Sequence, residues 1–379
     1  MTIQRIPFNK ATLVGAEVTN IQDAINGGHV SGEGPYTGRC ETLLEKELGV
    51  PRVLLTTSCT HALEMAALLL NLAPGDEVIL PSFTFVSTAN AFVLRGARPI
   101  FADIRPDTLN LDEAQIEGLI SPRTRAIVPV HYAGVACEMD AILSIAQRHG
   151  VTVVEDNANS LFSRYRGRYT GTFGQLATQS FHETKNITCG EGGALLVNDP
   201  QLIERAIVLR DMGTNRDRFL RGQVDKYTWV DVGSSYIASD LLAAFLYAQL
   251  EAREGIQSTR ERIWQRYQQG LEGWAEQNAV RLPVVPPHCE QSYPMFYLLL
   301  PSLKQRAALI AHLKERGIQA VFHYVPLHLS PMGLKHAARK QDCPVTVEMS
   351  DRLLRLPFYN SLTEGEQAAV IEAIREFKV

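Results

Sequence analysis

The sequence lacks the features that mark membrane proteins, secreted proteins and nucleic-acid-binding proteins. No apolar run approaches the roughly 18–20 residues that cross a bilayer, and residues 1–7 lack the apolar core of a secretory signal. The net charge of −4 offers no basic surface for nucleic acid. The six cysteines are scattered, with no Cys-x-x-Cys pair and no zinc-like spacing. We therefore expect a cytoplasmic protein without membrane or nucleic-acid partners, without disulfides and without a metal ion.

The composition that remains is ordinary for a globular protein. Apolar residues make up 45% of the chain and charged residues 21%. Because 379 residues are too many for one small core, two domains are expected.

Residues 50–200 alternate short β-branched runs with helical patterns. This alternation favours an α/β domain with a largely parallel sheet. The predicted strands cover residues 53–56, 77–80, 99–103, 126–130, 151–155, 175–181 and 194–197, and the predicted helices cover residues 60–70, 111–119 and 140–149.

The pattern changes after about residue 237. A long helix is predicted over residues 239–262, and the proline-rich stretch 282–287 then acts as a break. We predict a large domain over residues 1–240 and a smaller α+β domain over residues 241–379, which begins with the long linking helix. The later predicted elements are a strand at 296–300, a helix at 303–316, an extended stretch at 320–325 and a helix at 363–378.

Two charged residues follow neighbouring predicted strands. Asp156 closes the run Val151-Thr-Val-Val-Glu-Asp156, and Lys185 lies in Ser180-Phe-His-Glu-Thr-Lys-Asn186. A pyridoxal phosphate (PLP) enzyme needs this pair of residue types. The lysine forms a Schiff base with the aldehyde, and the acid keeps the pyridine nitrogen protonated so that the ring withdraws electrons. Taken alone, each residue is explained better as an ordinary surface lysine or strand-terminal aspartate, so the hypothesis depends on the neighbouring motifs.

Three further motifs contain groups that such a cofactor would contact. Thr57-Ser-Cys-Thr60 lies between a strand and a helix, where a helix cap and free backbone N–H groups suit an anion. An aromatic residue after a strand, Phe83 or Phe85, can lie flat on a heterocycle. Asn159 is a candidate partner for the ring's phenolic oxygen, and Ser180 is a candidate donor to the phosphate. Without a ligand, these residues are ordinary helix caps and core residues.

The histidines supply candidates for the substrate side of the site. His131 lies at a predicted strand end, and His323 lies beside Tyr324 in the small domain. No pair has the His-x-x-x-His spacing of a helical zinc site, so no metal is predicted.

These motifs together resemble the DegT/DnrJ/EryC1/StrS family of sugar aminotransferases, which are PLP enzymes of fold type I. The resemblance runs along the whole chain, from Ile6-Pro-Phe8 through Pro326-Leu-His328 to Leu356-Pro-Phe358. Long runs also carry it, including Pro129-Val-His-Tyr-Ala-Gly-Val-Ala-Cys-Glu-Met-Asp140 and Arg221-Gly-Gln-Val-Asp-Lys-Tyr-Thr-Trp229.

The resemblance implies an α/β fold like that of aspartate aminotransferase, with a large PLP domain, a small C-terminal domain and a homodimer with shared active sites. It implies that Lys185 is the catalytic, cofactor-bearing lysine, that Asp156 holds the ring nitrogen and that Phe85 stacks on the ring. The expected reaction moves the amino group of L-glutamate to C4 of dTDP-4-keto-6-deoxy-D-glucose through pyridoxamine 5′-phosphate, and gives dTDP-4-amino-4,6-dideoxy-D-galactose. The residues expected to hold the phosphate are Ser58, Cys59, Thr60 and Ser180.

Two positions depart from the family pattern. Asn159 stands where the family often has glutamine, and Ser235 stands where many members place an asparagine that reaches the partner subunit's phosphate. We expect both changes to affect cofactor affinity more than reaction type. No arginine is evident in the sequence for the carboxylate of the amino donor.

Three alternatives stay open at this point. The first is a different nucleotide-linked keto sugar, namely one that gives the 4-epimeric product, a UDP or GDP sugar, or a 3-keto sugar. The second is a sugar dehydratase, although such relatives replace the lysine with histidine. The third is a non-catalytic regulatory protein that uses the PLP fold to bind a ligand.

Overall fold

The computed structural model describes residues 5–378, so the predictions for residues 1–4 lie outside the described range. No helix within it is both long and apolar enough to cross a membrane. The strands are β1 Arg52–Thr56, β2 Glu77–Pro81, β3 Arg98–Ala102, β4 Thr124–Ile127, β5 Thr152–Asp156, β6 Arg164–Tyr165, β7 Arg168–Tyr169, β8 Leu176–Ser180, β9 Gly193–Val197, β10 Cys289–Glu290, β11 Tyr297–Leu299, β12 Val321–Phe322 and β13 Leu353–Arg355.

The central sheet has seven strands in the order β1-β9-β8-β5-β4-β2-β3. The pairs β3–β2, β2–β4, β4–β5 and β5–β8 are parallel. Strand β9 is antiparallel to both of its neighbours, β1 and β8. The sheet is therefore mostly parallel, which confirms the predicted fold class, and it contains one reversed strand. All five residues of β2, β8 and β9 are buried, as expected for strands that are covered on both faces.

Helices cover this sheet and build the second domain. Their first residues are fixed by side-chain caps at several places, for example at Ser58, which accepts a hydrogen bond from the backbone N–H of His61. The helices are α1 Glu17–Asn26, α2 Pro35–Leu48, α3 Cys59–Leu69, α4 Val86–Val93, α5 Glu113–Leu119, α6 Met139–His149, α7 Ile203–Arg210, α8 Arg216–Leu220, α9 Asp240–Glu251, α10 Arg253–Gln277, α11 Leu303–Glu315, α12 Pro331–His336, α13 Pro344–Arg352 and α14 Glu364–Glu376.

The small domain has its own core. Strands β11, β13 and β12 form an antiparallel sheet in that order. Apolar residues of α10, α11 and α14 pack together with it, among them Tyr267, Leu309 and Val370, all fully buried. A third, short sheet of order β10-β6-β7 ties the segment before β11 to the large domain.

The division of the chain between the two cores differs from the sequence prediction in two places. The predicted helix over 239–262 is two helices, α9 and α10, which meet at Ala252. Helix α9 packs on α1 and α2 within the large domain, because Ala243, Leu246 and Leu250 belong to the core there. Ile6, by contrast, pairs with Ile318 and belongs to the core of the small domain. The small-domain core therefore begins with α10 and also includes Ile6.

Candidate active site

A cavity of about 480 Å³ lies at the carboxyl edge of the central sheet, where residues of both domains meet. Strands β1, β5 and β8 end at this edge, so the segments that follow them line the cavity. The reversed strand β9 begins there, and its first residue, Gly193, is paired with both Ser180 and Thr56. This is the position at which open α/β sheets bind their ligands.

Lys185 lines this cavity, and the residue as a whole is partly buried by its own chain. Its Nζ donates a hydrogen bond to Oδ1 of Asn159 at 2.8 Å. Burial lowers the pKa of Lys185, while the nearby Cys59 and Asp156 act in the opposite direction and Arg355 lowers it further. The amine is therefore held in place and is easier to deprotonate than an ordinary lysine.

Asp156 ends strand β5 and is almost fully buried, with 5% of its surface exposed. Thr88 donates to its Oδ2 at 2.7 Å, and the backbone N–H of Ala158 donates to its Oδ1 at 3.2 Å. Thr88 is itself bonded to Thr84 at 2.8 Å. The carboxylate is thus fixed toward the cavity by hydroxyl groups that the sequence reasoning had not singled out.

The segment Ser58–Thr60 forms a cup at the start of helix α3. Its first backbone N–H groups have no acceptor within the helix, which makes a helix start a favourable anion site. Thr60 Oγ1 is bonded to Ser87 Oγ at 2.8 Å, and both residues line the cavity together with Ser180. A Cβ added at Gly193 would lie 2.3 Å from the backbone nitrogen of Cys59. Only glycine therefore allows β9 to approach the cup this closely.

Phe85 lines the same cavity just before helix α4 and is 56% exposed. Such exposure is unusual for a phenylalanine that follows a buried strand. Its ring centroid lies 6.5 Å from that of Tyr324. The accessible ring is available to stack on a planar ligand, which is the role that the sequence predicts.

The chemical types and the positions of these groups fit PLP. An anion cup, an amine, a buried carboxylate and an accessible aromatic ring line one cavity. They match the cofactor's phosphate, aldehyde, ring nitrogen and ring face, respectively. The individual contacts of Ser58, Cys59, Thr60, Phe85 and the other predicted residues with the cofactor stay predictions.

His323 and Tyr324 enter the cavity from the small domain. Nδ1 of His323 lies 3.0 Å from the hydroxyl of Tyr132, which belongs to the large domain. Burial lowers the pKa of His323 well below its ordinary value, and the nearby Arg355 and Lys185 act in the same direction. His323 is therefore neutral at physiological pH. The Tyr132 hydroxyl has no other hydrogen-bond partner within residues 5–378, so we assign it as the donor to Nδ1 and place the proton of His323 on Nε2.

Arg355 also lines the cavity, although the sequence reasoning did not find it. It is the last residue of β13, and its Nε is buried without a hydrogen-bond partner among residues 5–378. Its Nη2 makes one long bond of 3.4 Å to the carbonyl oxygen of Phe322. The guanidinium therefore has donors that are free for an acid. The only signal in the sequence was its position next to the run Leu356-Pro-Phe358.

His131 does not reach the cavity, which corrects the expectation that it lies on the substrate side. Its side chain is fully buried, with Nε2 2.9 Å from Oε2 of Glu155. Nδ1 accepts a bond from the backbone N–H of Cys137 at 3.1 Å. Because both ring nitrogens are engaged, this histidine supports the end of β5 and has no free nitrogen for a substrate.

Ser235 lies outside the cavity of its own chain. It is exposed and forms an isolated bridge with Asp211. Because the expected role of Ser235 concerns the phosphate site of a partner subunit, this position leaves that role a prediction.

The fold and the cavity together define a PLP-dependent sugar aminotransferase. The sequence model of the DegT/DnrJ/EryC1/StrS aminotransferase family matches residues 12–375, and the chain belongs to that family. The spore coat polysaccharide biosynthesis protein SpsC of Bacillus subtilis is 33% identical in an alignment of 379 positions. This alignment covers 98% of this chain and 96% of SpsC.

Solved structures agree with this assignment. The aminotransferase TlmJ from Streptoalloteichus hindustanus is 32% identical, with a TM-score of 0.90 and 98% of both chains covered. Spr1654 of Streptococcus pneumoniae, assigned as a sugar aminotransferase, is 25% identical. Its PLP form has a TM-score of 0.90 and covers 98% of both chains, and its pyridoxamine phosphate (PMP) form has a TM-score of 0.91 and covers 98% of this chain and 97% of Spr1654.

Proposed function

We propose that this enzyme transfers the amino group of L-glutamate to C4 of dTDP-4-keto-6-deoxy-D-glucose and produces dTDP-4-amino-4,6-dideoxy-D-galactose. The observation that carries amino transfer is the amine of Lys185, held by Asn159 at 2.8 Å in the cavity that also contains Asp156. The family supplies the sugar class.

The particular sugar is supported by sequence runs alone. They resemble the dTDP-4-amino-4,6-dideoxygalactose transaminase of enterobacterial common antigen synthesis, so the proposed product would serve the assembly of a surface glycan such as that antigen or lipopolysaccharide. The runs are residues 63–69, 84–96, 129–140, 180–186 and 221–229.

Lys185 is the group that moves protons in this proposal. PLP supplies the electron-withdrawing ring that stabilises negative charge at the substrate carbon. Nζ of Lys185 would take the proton from that carbon and return it to the former aldehyde carbon of the cofactor, two bonds away. The amine must be neutral to accept the proton. Burial and the charge of Arg355 lower the pKa of Lys185 and so favour the neutral form.

Asp156 is proposed to hold the proton on the ring nitrogen. A carboxylate that faces a protonated nitrogen forms a charge-assisted bond, roughly twice as strong as a neutral one. Thr88 and the backbone of Ala158 fix its two oxygens at 2.7 and 3.2 Å. The carboxylate is therefore oriented before the cofactor binds.

Arg355 is proposed to bind a carboxylate of L-glutamate. It is the cationic side chain of β13 that lines the cavity, and its Nε has no partner within the described chain. A guanidinium matches a carboxylate with two parallel N–H bonds. Burial lowers the pKa of Arg355, and pairing with the donor would offset the free-energy cost of that burial.

His323 and Tyr324 are proposed to contact the sugar. With Nδ1 engaged by Tyr132 at 3.0 Å, the Nε2–H of His323 is the donor left for a hydroxyl or keto oxygen. Burial raises the pKa of Tyr324, so its hydroxyl stays protonated and can also donate. Two neutral donors suit the uncharged sugar ring of the substrate, which must bind in the same cavity as glutamate and leave it again.

A homodimer with shared active sites completes the proposal, with Ser235 reaching the phosphate of the partner subunit's cofactor. The segment before it exposes several large apolar side chains, including Leu220 (63% exposed) and Trp229 (76% exposed). Exposed apolar patches of this kind typically mark interfaces. Light scattering would give the subunit number. Mixing Lys185→Ala chains with Ser235→Trp chains would restore one intact site per mixed dimer only if sites are shared.

The reaction is tested by supplying dTDP-4-keto-6-deoxy-D-glucose with L-glutamate and following 2-oxoglutarate. The configuration at C4 of the product follows from NMR coupling constants, since the axial amine of the galacto product gives a small H3–H4 coupling. Parallel reactions with the UDP and GDP sugars test the nucleotide, and Lys185→Ala is the inactive control. Turnover of another keto sugar in preference to this one, or a gluco product, would contradict the proposal. No 2-oxoglutarate with any keto sugar would favour a regulatory protein.

A further inference from the structure

A short segment between the two domains contacts both sides of the reactive lysine. Ser292, which is fully buried, donates through Oγ to the backbone oxygen of Asn159 at 3.1 Å. Its own carbonyl oxygen accepts a bond from the side chain of Asn186. Asn159 holds the amine of Lys185, and Asn186 follows Lys185 in the chain. One serine therefore touches both the partner and the neighbour of the lysine.

The residue after Ser292 has a strained backbone. Tyr293 has φ of +53°, in the left-handed region that is costly for a residue with a bulky side chain. Such a conformation is unfavourable and persists only where surrounding contacts impose it. Pro294 and Met295 continue directly into the wall of the cavity.

Arg260 of helix α10 supplies those contacts. Its Nε donates to the carbonyl oxygen of Tyr293 at 2.9 Å, and its Nη2 donates to that of Pro294 at 2.8 Å. The third bond, from Nη1, goes to Oδ1 of Asn360 at 2.9 Å. Only 3% of this arginine is exposed. Its cation also lies 4.8 Å from the ring centroid of Phe358, another residue of the cavity wall.

Arg260 has no carboxylate partner among residues 5–378, which is unusual for a buried cation. Burial lowers its pKa to about 9. A buried guanidinium satisfied only by neutral oxygens costs stability compared with an apolar residue of the same size. The presence of a guanidinium here is explained if the consecutive carbonyl groups of Tyr293 and Pro294 must be fixed in an unfavourable turn.

We infer that Arg260 is a positioning residue for Lys185, which acts by holding the Tyr293–Pro294 turn so that Ser292 fixes Asn159 and Asn186 around the lysine. Arg260 touches neither the amine nor the cavity itself. The inference rests on Lys185 as the reacting amine but does not depend on which sugar is aminated.

The first test measures Lys185 directly in enzyme freed of cofactor. A bond from Nζ to Asn159 favours the charged form of the lysine. In Arg260→Met the turn relaxes and this bond weakens, so the pH midpoint for labelling of Lys185 by an amine-reactive reagent shifts downward. The other groups that face the amine, namely Asp156, Cys59, Arg355 and His323, are unchanged in this variant.

The second test uses the cofactor-loaded enzyme. We expect kcat of Arg260→Met to fall about 10- to 100-fold, as expected for a small misplacement of a catalytic group, with little change in KM for either substrate. The double variant Arg260→Met/Tyr293→Gly is expected to recover much of both effects, because glycine adopts a positive φ without strain. A purely structural arginine would lower Tm without moving the labelling midpoint and without rescue by glycine.

Two further variants keep the test decisive if Arg260→Met does not fold. Ser292→Ala removes only the bond to Asn159 and should shift the labelling midpoint in the same direction by a smaller amount. Arg266→Met is the matched control, since Arg266 lies on the same helix and bonds to Glu364 and Gln367 outside the cavity. An unchanged midpoint in folded Arg260→Met or in Ser292→Ala, or an equal shift in Arg266→Met, would overturn the inference.

Discussion

Replacing Arg355 with glutamine should separate the two halves of the reaction. The change removes the positive charge but keeps a polar side chain at the end of β13. The guanidinium has an unpartnered Nε, one long bond of 3.4 Å to the backbone of Phe322 and a contact of 4.7 Å with the ring centroid of Phe8, so few existing contacts are lost. We therefore expect the variant to fold normally and to lose a ligand contact.

The size of the effect follows from the kind of bond that is lost. Hydrogen bonds to charged groups contribute about 1.5–3 kcal/mol. Since 1.36 kcal/mol corresponds to a factor of ten, kcat/KM for glutamate should fall about 10- to 150-fold. A low-dielectric site would place the value toward the upper end, because Arg355 is largely withdrawn from water and its pKa is lowered by burial.

Single-turnover measurements of each half-reaction provide the assay. Glutamate is added to the PLP form, and in a separate experiment the keto sugar is added to the PMP form, while the absorbance of the cofactor is followed. Only the glutamate half should be slowed in Arg355→Gln. Arg316→Gln is a suitable control, because Arg316 is exposed in the same domain and pairs with Glu376 at 3.1 Å. Equal loss in both halves, or no loss with glutamate, would refute the assignment of Arg355.

Three further predictions concern the cofactor side of the cavity. Burial lowers the pKa of Lys185 below its ordinary value of 10.5. Between the native-state pKa and 10.5, the native state therefore binds fewer protons than the unfolded state. Cofactor-free wild-type enzyme should gain stability relative to Lys185→Met as the pH rises through this range. Thr88→Val removes the 2.7 Å bond to Asp156 and should shift the stretching frequency of that carboxylate, as followed by isotope-edited infrared spectroscopy. Gly193→Ala places a Cβ 2.3 Å from the backbone nitrogen of Cys59 and should weaken PLP binding strongly in an equilibrium titration.

Each of these predictions has a clear contrary result. A stability difference between Lys185→Met and wild type that does not change with pH would mean that the lysine is not desolvated. An unaltered carboxylate band in Thr88→Val would mean that the hydroxyl does not bond to the carboxylate. Unchanged PLP affinity in Gly193→Ala, with Gly190→Ala as a nearby control whose Cβ meets open space but whose φ is positive, would mean that the cup tolerates displacement of β9.

The sequence predicted the central sheet well because its strands are short, β-branched and buried on both faces. Each of the seven predicted strands has a counterpart, for example residues 151–155 against Thr152–Asp156. The local sequence pattern did not predict where one helix ends and the next begins. The predicted helix over 239–262 breaks at Ala252, because α9 is buried in the large domain and α10 belongs to the small one.

The sequence predicts a residue of the cavity only where that residue lies at or just beyond the end of a strand of the central sheet. Asp156 ends β5, and Lys185 lies in the loop that follows β8, so their shared edge follows from the parallel pairing of the two strands. Arg355 reaches the cavity only because β13 pairs with β11 and β12, which lie 30 or more residues away in sequence. His131 was misplaced because a strand end specifies an edge of the sheet but not the direction of the side chain, and Glu155 turns it inward.

The reversed strand β9 has a consequence for how the active site assembles during folding. The segment that bears Lys185 is the loop of a hairpin, closed by the pairing of Ser180 with Gly193. The phosphate cup requires the same glycine to meet Thr56, far away in the sequence. Pairing between distant segments is slower than local pairing. The loop that bears Lys185 can therefore close early. A site able to hold the cofactor exists only after the long-range pairing of β9 with β1 is complete. PLP therefore stabilises only chains whose central sheet is complete.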